Sequence, residues 1–296
     1  MQLQIIGNKI KTTLIIGLIF LLLAVVVYFV SCWLGYTRYA LVIAVGLSVI
    51  TSIISYWNCS KIVLKMNRAQ PADPSMYQDA HAALKRVCFN AEIDIPKLYI
   101  MNDSSPNAFA TGRSPKDAVV CLTTGLVDKL DYYQLEGVIA HEVAHIKNYD
   151  ILLSTIASVM IGAVIMASDV WSRSLWFSSS RRNRQENSNK SFMAIIGMVF
   201  IILSPIAAQL LRFALSRNRE YLADSSGASY TGNPEGLASA LEVIAGDEVS
   251  MENFSKATAS MFISDPLYAS NKNIASSLFS THPPIYDRVR KLRMMK

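Results

Sequence analysis

Residues 131–148 read DYYQLEGVIAHEVAHIKN, and this stretch decides how the polar part of the chain folds. Asp131 followed three residues later by Gln134 is the pattern of a helical capping box, which predicts a helix from here to about Asn148. Side chains four residues apart lie one above the other on a helix. His141 and His145 therefore project from one face, where their imidazoles can bind a single metal ion.

Glu142 follows the first histidine but lies on a different face of the predicted helix. A helix turns by about 100° per residue, so this carboxylate is too far round to share the metal comfortably but close enough to reach water there. This arrangement suits a hydrolytic zinc site, in which the carboxylate takes a proton from water and later delivers it to the leaving amine. The chain has only 4 histidines, so an accidental match is on the order of a one-in-several-hundred event. A histidine pair without metal is the alternative.

A catalytic zinc ion needs a third protein ligand and an open position. Glu220 is our candidate, because it lies on a helix predicted to begin near Ser216, and the hydrophobic segment before that helix can return it beside the histidines. Asp224 lies four residues later on the same face, where it could accept a hydrogen bond from a ligand histidine and fix its tautomer. From spacing alone, a solvated helix face is the simpler interpretation of this Glu and Asp, and only their position directly after the returning hydrophobic segment favours the metal site.

The composition places the chain among membrane proteins. Of its 296 residues, 52% are apolar and only 17% are charged, whereas soluble domains carry about 25% charged residues. Residues 12–30 and 40–57 contain no charged side chain, and each is long enough to cross the roughly 30 Å of a bilayer core. Basic residues flank the outer ends of this pair, which predicts that both ends face the cytoplasm. A cleaved signal peptide, with Ser31-Cys32 as a lipoprotein site, is the competing interpretation.

Residues 151–171 and 192–211 form a second hydrophobic pair that contains more polar groups. Asp169 in the first stretch and Pro205 in the second need protein or water beside them at membrane depth. We expect a second spanning hairpin, and the alternative is a hairpin that packs on the polar domain or lies in the membrane interface. Both ends return to the same side in either case.

The expected fold class is a mostly α-helical membrane protein with a zincin-like α+β catalytic domain, a small β-sheet and two hydrophobic helical hairpins. The expected divisions are an N-terminal transmembrane hairpin (1–70), the first part of the catalytic domain (71–150), the second hydrophobic hairpin (151–211) and the second part of the domain (212–296). The 4 cysteines show no close spacing, so neither a disulfide framework nor a cysteine zinc ribbon is supported. In so apolar a chain, the net charge of +6 indicates anionic lipid rather than nucleic acid.

Local patterns predict the other elements of the polar parts. Ser75 with Gln78 is a second capping-box pattern, which predicts a helix toward Phe89. Short strands are predicted at 96–101, 107–112 and 118–122, and further helices are predicted from near Ser216, from Pro234 to Gly246 with Asn233 as the cap, and around Ile285, Val289 and Leu292.

Four motifs taken together carry a family resemblance. They are HEVAH at 141–145, EYLAD at 220–224, NAFATG at 107–112 and THPPIYDR at 281–288. With the two hydrophobic hairpins they resemble the HtpX-type membrane metalloproteases, which are bacterial relatives of the eukaryotic CAAX prenyl proteases within the gluzincins. The resemblance spans nearly the whole chain, whereas the pentapeptide alone indicates only a zincin.

The resemblance implies a role for each motif. It implies one Zn²⁺ per chain with His141, His145 and Glu220 as its ligands, Glu142 as the general base, and Asp224 as the acceptor behind a ligand histidine. It also implies that 107–112 is an edge strand on which a peptide substrate lies by strand addition. The substrate-binding residues would then be Asn107, Ala108, Phe109 and Ala110. The alternative for that segment is a turn followed by a structural strand.

Two residues of the C-terminal motif have less definite expectations. His282 precedes two prolines and is a candidate donor to the oxyanion that develops during attack, although a surface or packing histidine is the simpler reading. Arg288 is expected to pair with an acidic group nearby and is not assigned to the chemistry. His81 matches no motif and is expected on a helix surface.

The expected function is a membrane-anchored zinc endopeptidase of the bacterial cytoplasmic membrane, a multi-pass protein with its active site facing the cytoplasm. Its expected substrates are membrane and misfolded proteins, in stress-related quality control, and membrane proteases or chaperones are further expected partners. One alternative is an intramembrane site-2-type protease, but charged residues share the HEVAH helix and each would cost about 3 kcal/mol at mid-bilayer. The other is a non-catalytic membrane scaffold with structural zinc, for which no fourth ligand is evident.

Overall fold

The computed structural model of the chain describes residues 39–159, 162, 217–266 and 282–295, together with isolated positions between 7 and 28. Of the predicted stretches, 12–30 lies largely and 192–211 entirely outside the described residues, whereas 151–171 is described at 151–159 and 162. Among the residues that are described, no helix combines the length and the apolar character needed to cross a membrane.

The described part of the chain is mostly helical, with one small sheet, as the sequence predicts. Its helices are α1 (Ala40–Met66), α2 (Gln78–Ala91), α3 (Thr124–Lys129), α4 (Tyr132–Lys147), α5 (Arg217–Thr231), α6 (Pro234–Gly246) and α7 (Ile285–Arg293). Its strands are β1 (Gln70–Pro71), β2 (Lys97–Met101), β3 (Ala108–Thr111) and β4 (Val119–Thr123). A further helical segment covers 151–159.

The sheet is mixed and has the strand order β1-β2-β4-β3. β2 runs parallel to β4, whereas β1 and β3 are antiparallel to their neighbours. β3 is therefore an edge strand of this sheet, as expected for 107–112. All the residues of β3 and β4 are buried, because the helices and the loops cover both faces.

Helix α4 lies at the centre of the helical layer, where it packs against α2, α5, α6 and β3. Two glycines allow its closest neighbours to approach. A Cβ atom on Gly227 of α5 would lie 3.0 Å from the backbone nitrogen of His141, and one on Gly137 of α4 would lie 2.6 Å from that of Leu237. Because these positions lack a side chain, α5 and α6 can pack directly against the backbone of α4.

Several of the local predictions are confirmed. Asp131 and Gln134 form the reciprocal capping box that begins α4. Asn233 accepts a hydrogen bond from the backbone of Gly236, at 3.2 Å, and caps α6. The predicted strands agree with β2, β3 and β4 to within about a residue at each end, which is the usual uncertainty of such boundaries.

The capping box predicted at Ser75 is wrong. Helix α2 begins at Gln78 with Tyr77 as its N-cap, and no side chain caps it. Ser75 instead donates its hydroxyl to Asp73 Oδ1 at 2.7 Å, and its backbone N–H donates to the same oxygen at 2.8 Å. The preceding aspartate thus holds Ser75 in a turn, so its hydroxyl is not available to the helix.

Helix α1 has two different surroundings along its length. Its first two thirds expose large apolar side chains, among them Val42 (73% exposed), Ile54 (55%) and Trp57 (59%). One side of its last turns is buried, with Val63 fully covered in a cluster that also contains Phe109 of β3. The helix therefore extends past the predicted stretch 40–57, and its end belongs to the core of the domain.

Candidate metal centre

His141 and His145 lie on one face of α4, one turn apart, as the sequence predicts. Their Nε2 atoms are 3.2 Å apart and their ring planes are nearly perpendicular. Glu220, on α5, lies opposite them, with Oε1 3.5 Å from His145 Nε2 and Oε2 3.7 Å from His141 Nε2. One ligand atom from each of the three residues fits within 4.8 Å of the others.

These separations fit a zinc ion. Tetrahedral zinc with bonds of about 2.0–2.1 Å to nitrogen and oxygen places neighbouring ligand atoms about 3.3–3.4 Å apart. The three measured distances, from 3.2 to 3.7 Å, bracket that value. A cation also explains why two imidazole nitrogens and a carboxylate point at one place, and His2Glu is a donor set of catalytic zinc sites.

Behind His141, a buried carboxylate and a buried guanidinium fix the ring. Asp224 Oδ1 lies 2.9 Å from His141 Nδ1. Arg288 donates to both oxygens of Asp224, from Nη2 at 2.7 Å and from Nε at 2.9 Å, and it is fully buried. Because Nδ1 donates to Asp224, the lone pair of Nε2 faces Glu220. Arg288 thus has the acidic partner expected for it.

His145 has a carboxylate behind it as well, which the sequence reasoning missed. Asp150 Oδ2 lies 3.3 Å from His145 Nδ1, and Arg219 Nη1 lies 3.5 Å from Asp150 Oδ1. Tyr149 has a left-handed backbone conformation (φ 60°), which ends α4 and turns Asp150 back toward the helix. The backbone N–H of Asp150 then donates to the carbonyl of His145 at 3.0 Å.

The buried acids at this centre have pKa values shifted in opposite directions. The side chain of Glu142 is 2% exposed, and burial raises its pKa to about 7. Burial alone would also raise the pKa of Asp224, but Arg288 and His141 hold it at about 2. Asp224 is therefore a fixed negative charge behind His141, whereas Glu142 lies near the balance between its acid and its base forms at neutral pH.

His282 lies directly beside Glu220. Its Nδ1 is 3.0 Å from Glu220 Oε2, and the residue is 8% exposed. It lines the same cavity as His141, His145 and Glu142. The structure therefore brings His282 to the site, and its expected action on an oxyanion stays a prediction.

The four residues predicted to bind a peptide have different surroundings. Ala110 lines the cavity together with Glu142 and His145. The side chain of Phe109 is buried against Phe262, with ring centroids 5.0 Å apart. Asn107 and Ala108 bond to residues 263–264 of the same chain. The structure thus brings Ala110 to the candidate metal centre, and substrate binding at all four residues stays a prediction.

Comparison with known protein families identifies the class of this site. Residues 74–296 match the model of peptidase family M48, and the chain belongs to that family. It is a metallopeptidase.

Two relatives extend the similarity over nearly the whole chain. A Protease HtpX homolog of Dictyoglomus turgidum is 43% identical over 98% of this chain and 93% of its own length. A Protease HtpX homolog of Caldanaerobacter subterraneus subsp. tengcongensis is 40% identical over 97% of this chain and 95% of its own length. Among solved structures, Ste24p of S. mikatae is 18% identical with a TM-score of 0.45, and the match covers 84% of this chain but 57% of that one.

Proposed function

We propose that this chain is a zinc endopeptidase anchored in the bacterial cytoplasmic membrane, where it cleaves membrane or misfolded proteins from the cytoplasmic face in quality control. One observation carries the catalytic part of this proposal. His141, His145 and Glu220 converge within 4.8 Å, beside the buried carboxylate of Glu142. When bound there, zinc would polarise a scissile carbonyl and lower the pKa of water toward about 7.

The side chains around this centre can be given separate tasks. Glu142 would act as the general base that takes a proton from water and passes it to the leaving amine. Asp224 and Asp150 each lie behind one histidine, at 2.9 Å and 3.3 Å from Nδ1, and would hold both rings with Nε2 toward the ion. His282 would move from Glu220 to donate to the developing oxyanion when substrate is bound.

The exposed apolar surface of α1 supports the membrane part of the proposal. Side chains such as Val42, Ile54 and Trp57 are more than half exposed, and an apolar surface of this extent is a typical site of contact with lipid or with another protein. Lys61 and Lys65 follow on the same helix, and by the positive-inside rule these charges support a peptidase domain on the cytoplasmic side. Membrane and misfolded proteins would reach the site from there.

Replacement of the proposed base tests the mechanism. The variant Glu142→Gln should lose casein cleavage by at least about 100-fold, since general-base catalysis contributes about 10²–10⁴ in rate. Its zinc content, measured by elemental analysis, should equal that of the wild type. The exposed Glu248 provides the matched control, because Glu248→Gln makes the same chemical change away from the site. Retained cleavage by Glu142→Gln would refute the role of the base.

Metal removal separates this proposal from a zinc-stabilised scaffold. Proteolysis should be inhibited by 1,10-phenanthroline and restored by added zinc. If the protein purified without chelators is folded but contains no zinc, the proposed metal centre is wrong.

A further inference from the structure

The backbone of β3 has a bonded side and a free side. The N–H of Thr123 donates to the carbonyl of Asn107 at 3.0 Å, so Asn107 belongs to the residues that bond toward β4. In an antiparallel ladder this direction alternates along the strand. Ala108 and Ala110 therefore direct their backbone groups away from β4, toward the edge at which a peptide could be added.

The chain itself occupies the Ala108 end of this edge. The N–H of Ile263 donates to the carbonyl of Ala108 at 2.9 Å. Asn107 Nδ2 donates to the carbonyl of Ser264 at 2.8 Å, and the N–H of Ser264 donates to Asn107 Oδ1 at 3.3 Å. With Phe262 packed on Phe109, residues 262–264 run antiparallel to β3 and occupy the place of an added strand.

Residues 262–264 are held firmly in this position. Phe262 is fully buried and Ile263 is 2% exposed. The carbonyl of Ile263 also accepts a hydrogen bond from Arg288 Nη1 at 3.2 Å, and Arg288 is itself fixed by Asp224. Removal of the segment from β3 would expose two large apolar side chains and break these hydrogen bonds, which makes displacement by a peptide unfavourable.

We propose that residues 262–264 block the pairing of a bound peptide with the Ala108 end of β3, and we call this segment the stop. A bound peptide pairs with β3 at Ala110, which lines the cavity of the candidate metal centre, and cannot extend its pairing to Ala108. The enzyme then recognises fewer residues on one side of the scissile bond than on the other. This inference rests on the proposed function, because it takes strand addition to β3 as the mode of substrate binding.

Hydrogen–deuterium exchange on the intact protein tests the stop directly. The zinc-loaded Glu142→Gln variant is saturated with a casein peptide, binding is followed by fluorescence anisotropy, and exchange is resolved by fragment-ion mass spectrometry. We expect slower exchange in β3 at Ala110 and unchanged exchange at Ile263 and Ser264. Faster exchange at Ile263 and Ser264 would show that the peptide displaces the segment, and would overturn the proposal. If the peptide does not bind at all, the proposed function fails and this inference falls with it.

The length dependence of cleavage by the wild type is a second test. Peptides are extended one residue at a time on either side of a fixed scissile bond. Because alternate residues of an added strand bond to the edge, kcat/KM should stop increasing after about two residues on the blocked side and continue to increase on the other. An equal dependence on both sides over several residues would contradict the stop.

A pair of aromatic variants completes the design. Phe262→Ala removes the buried anchor of the segment and should raise kcat/KM several-fold for peptides extended on the blocked side, relative to short peptides. Phe254→Ala is the matched control, since Phe254 packs on Phe262 at 6.5 Å and is only partly buried. An unchanged preference in folded Phe262→Ala would count against the stop. The exchange experiment needs no change in the segment, so it decides the question if Phe262→Ala does not fold.

Discussion

Arg288 on the C-terminal helix α7 is linked to the candidate metal centre through its hydrogen bonds to Asp224. It is fully buried, and both oxygens of Asp224 accept its hydrogen bonds. A buried guanidinium needs such a partner, because an unpaired charge inside a protein is strongly destabilising. Asp224 therefore serves two groups at once: it neutralises Arg288, and it accepts a hydrogen bond from His141 Nδ1.

Substitution of Asp224 should weaken the binding of the metal ion. In Asp224→Asn the amide no longer supplies the negative charge behind His141, and loss of such a partner typically lowers metal affinity by about 10–100-fold. Competition with a chromophoric chelator measures the affinity for zinc. Asp287→Asn is the matched control, because Asp287 pairs with Arg290 on the outer face of α7. Equal zinc affinity in Asp224→Asn and the wild type would exclude this role.

At the residue scale, the sequence predicted the contacts that follow from the spacing of residues along one helix. The i, i+4 spacing was enough to bring His141 and His145 together, and Glu220 followed from a second helix placed beside the first. Asp150 could not be predicted in the same way, because its position depends on the left-handed conformation of Tyr149. The approach of Ile263 to Ala108 could not be predicted either, since it joins residues far apart in sequence without a recognisable pattern.

At the scale of the helix, the capping box of α4 has a measurable energetic role. Asp131 Oδ1 accepts from the backbone of Gln134 at 2.9 Å, and Gln134 Oε1 accepts from the backbone of Asp131 at 3.1 Å. Asp131→Ala should lower the free energy of unfolding by about 1 kcal/mol. Asp131→Asn keeps an acceptor at the cap and should change it by much less. Denaturant titration of both variants measures this, and equal losses would show that the cap oxygen is not responsible.

A buried acid on the opposite face of α4 should reduce stability. Glu136 is 1% exposed, and its partner Arg86 is 3.3 Å away from Oε1 but half exposed itself. Burial raises the pKa of Glu136, with Arg86 opposing. Its charged form is therefore disfavoured in the folded state, and the penalty grows as pH rises above the ordinary carboxyl value.

Removal of this charge should stabilise the protein. Glu136→Gln should raise the free energy of unfolding at pH 7, because the uncharged amide avoids the cost of burying the carboxylate. The difference should shrink as pH falls through the raised pKa toward the ordinary value, because the wild-type carboxyl then becomes neutral too. Glu248→Gln, at an exposed position, should show no such change. A destabilised Glu136→Gln at pH 7 would mean that the pair with Arg86 outweighs the burial.

Helices and strands were predicted correctly where no other side chain took the hydrogen bonds on which the prediction relied. The same capping-box pattern was correct at Asp131 and wrong at Ser75, since at Ser75 the carboxylate of Asp73 accepts both the hydroxyl and the backbone N–H. The short helix α3 was not predicted, because its 6 residues are too few to show a periodic pattern. Strands β2, β3 and β4 were predicted because turns and charged residues bound each apolar run.

At the scale of the whole molecule, the sequence separates the two halves of the site by a long hydrophobic insertion. The histidines precede it and Glu220 follows it, and α4 and α5 nevertheless pack directly together. Both ends of the insertion must therefore lie on the same side of any membrane. Two topologies therefore remain for the second hairpin. Either it spans the bilayer twice, or it stays on the face where the peptidase domain lies.

Cysteine labelling in whole cells distinguishes these two topologies. A cysteine in place of Ser179, in the polar linker of the insertion, should react with a membrane-impermeant maleimide from outside the cytoplasmic membrane if the hairpin spans. Cys59, Cys88 and Cys121 are buried, so Cys32→Ser is the one change needed to lower the background. Met76→Cys, at a position that is 74% exposed on the peptidase domain, should react only after permeabilisation. If the cysteine at 179 behaves like the one at 76, the insertion does not cross the membrane, and its apolar stretches must be covered by protein or lie in the interface.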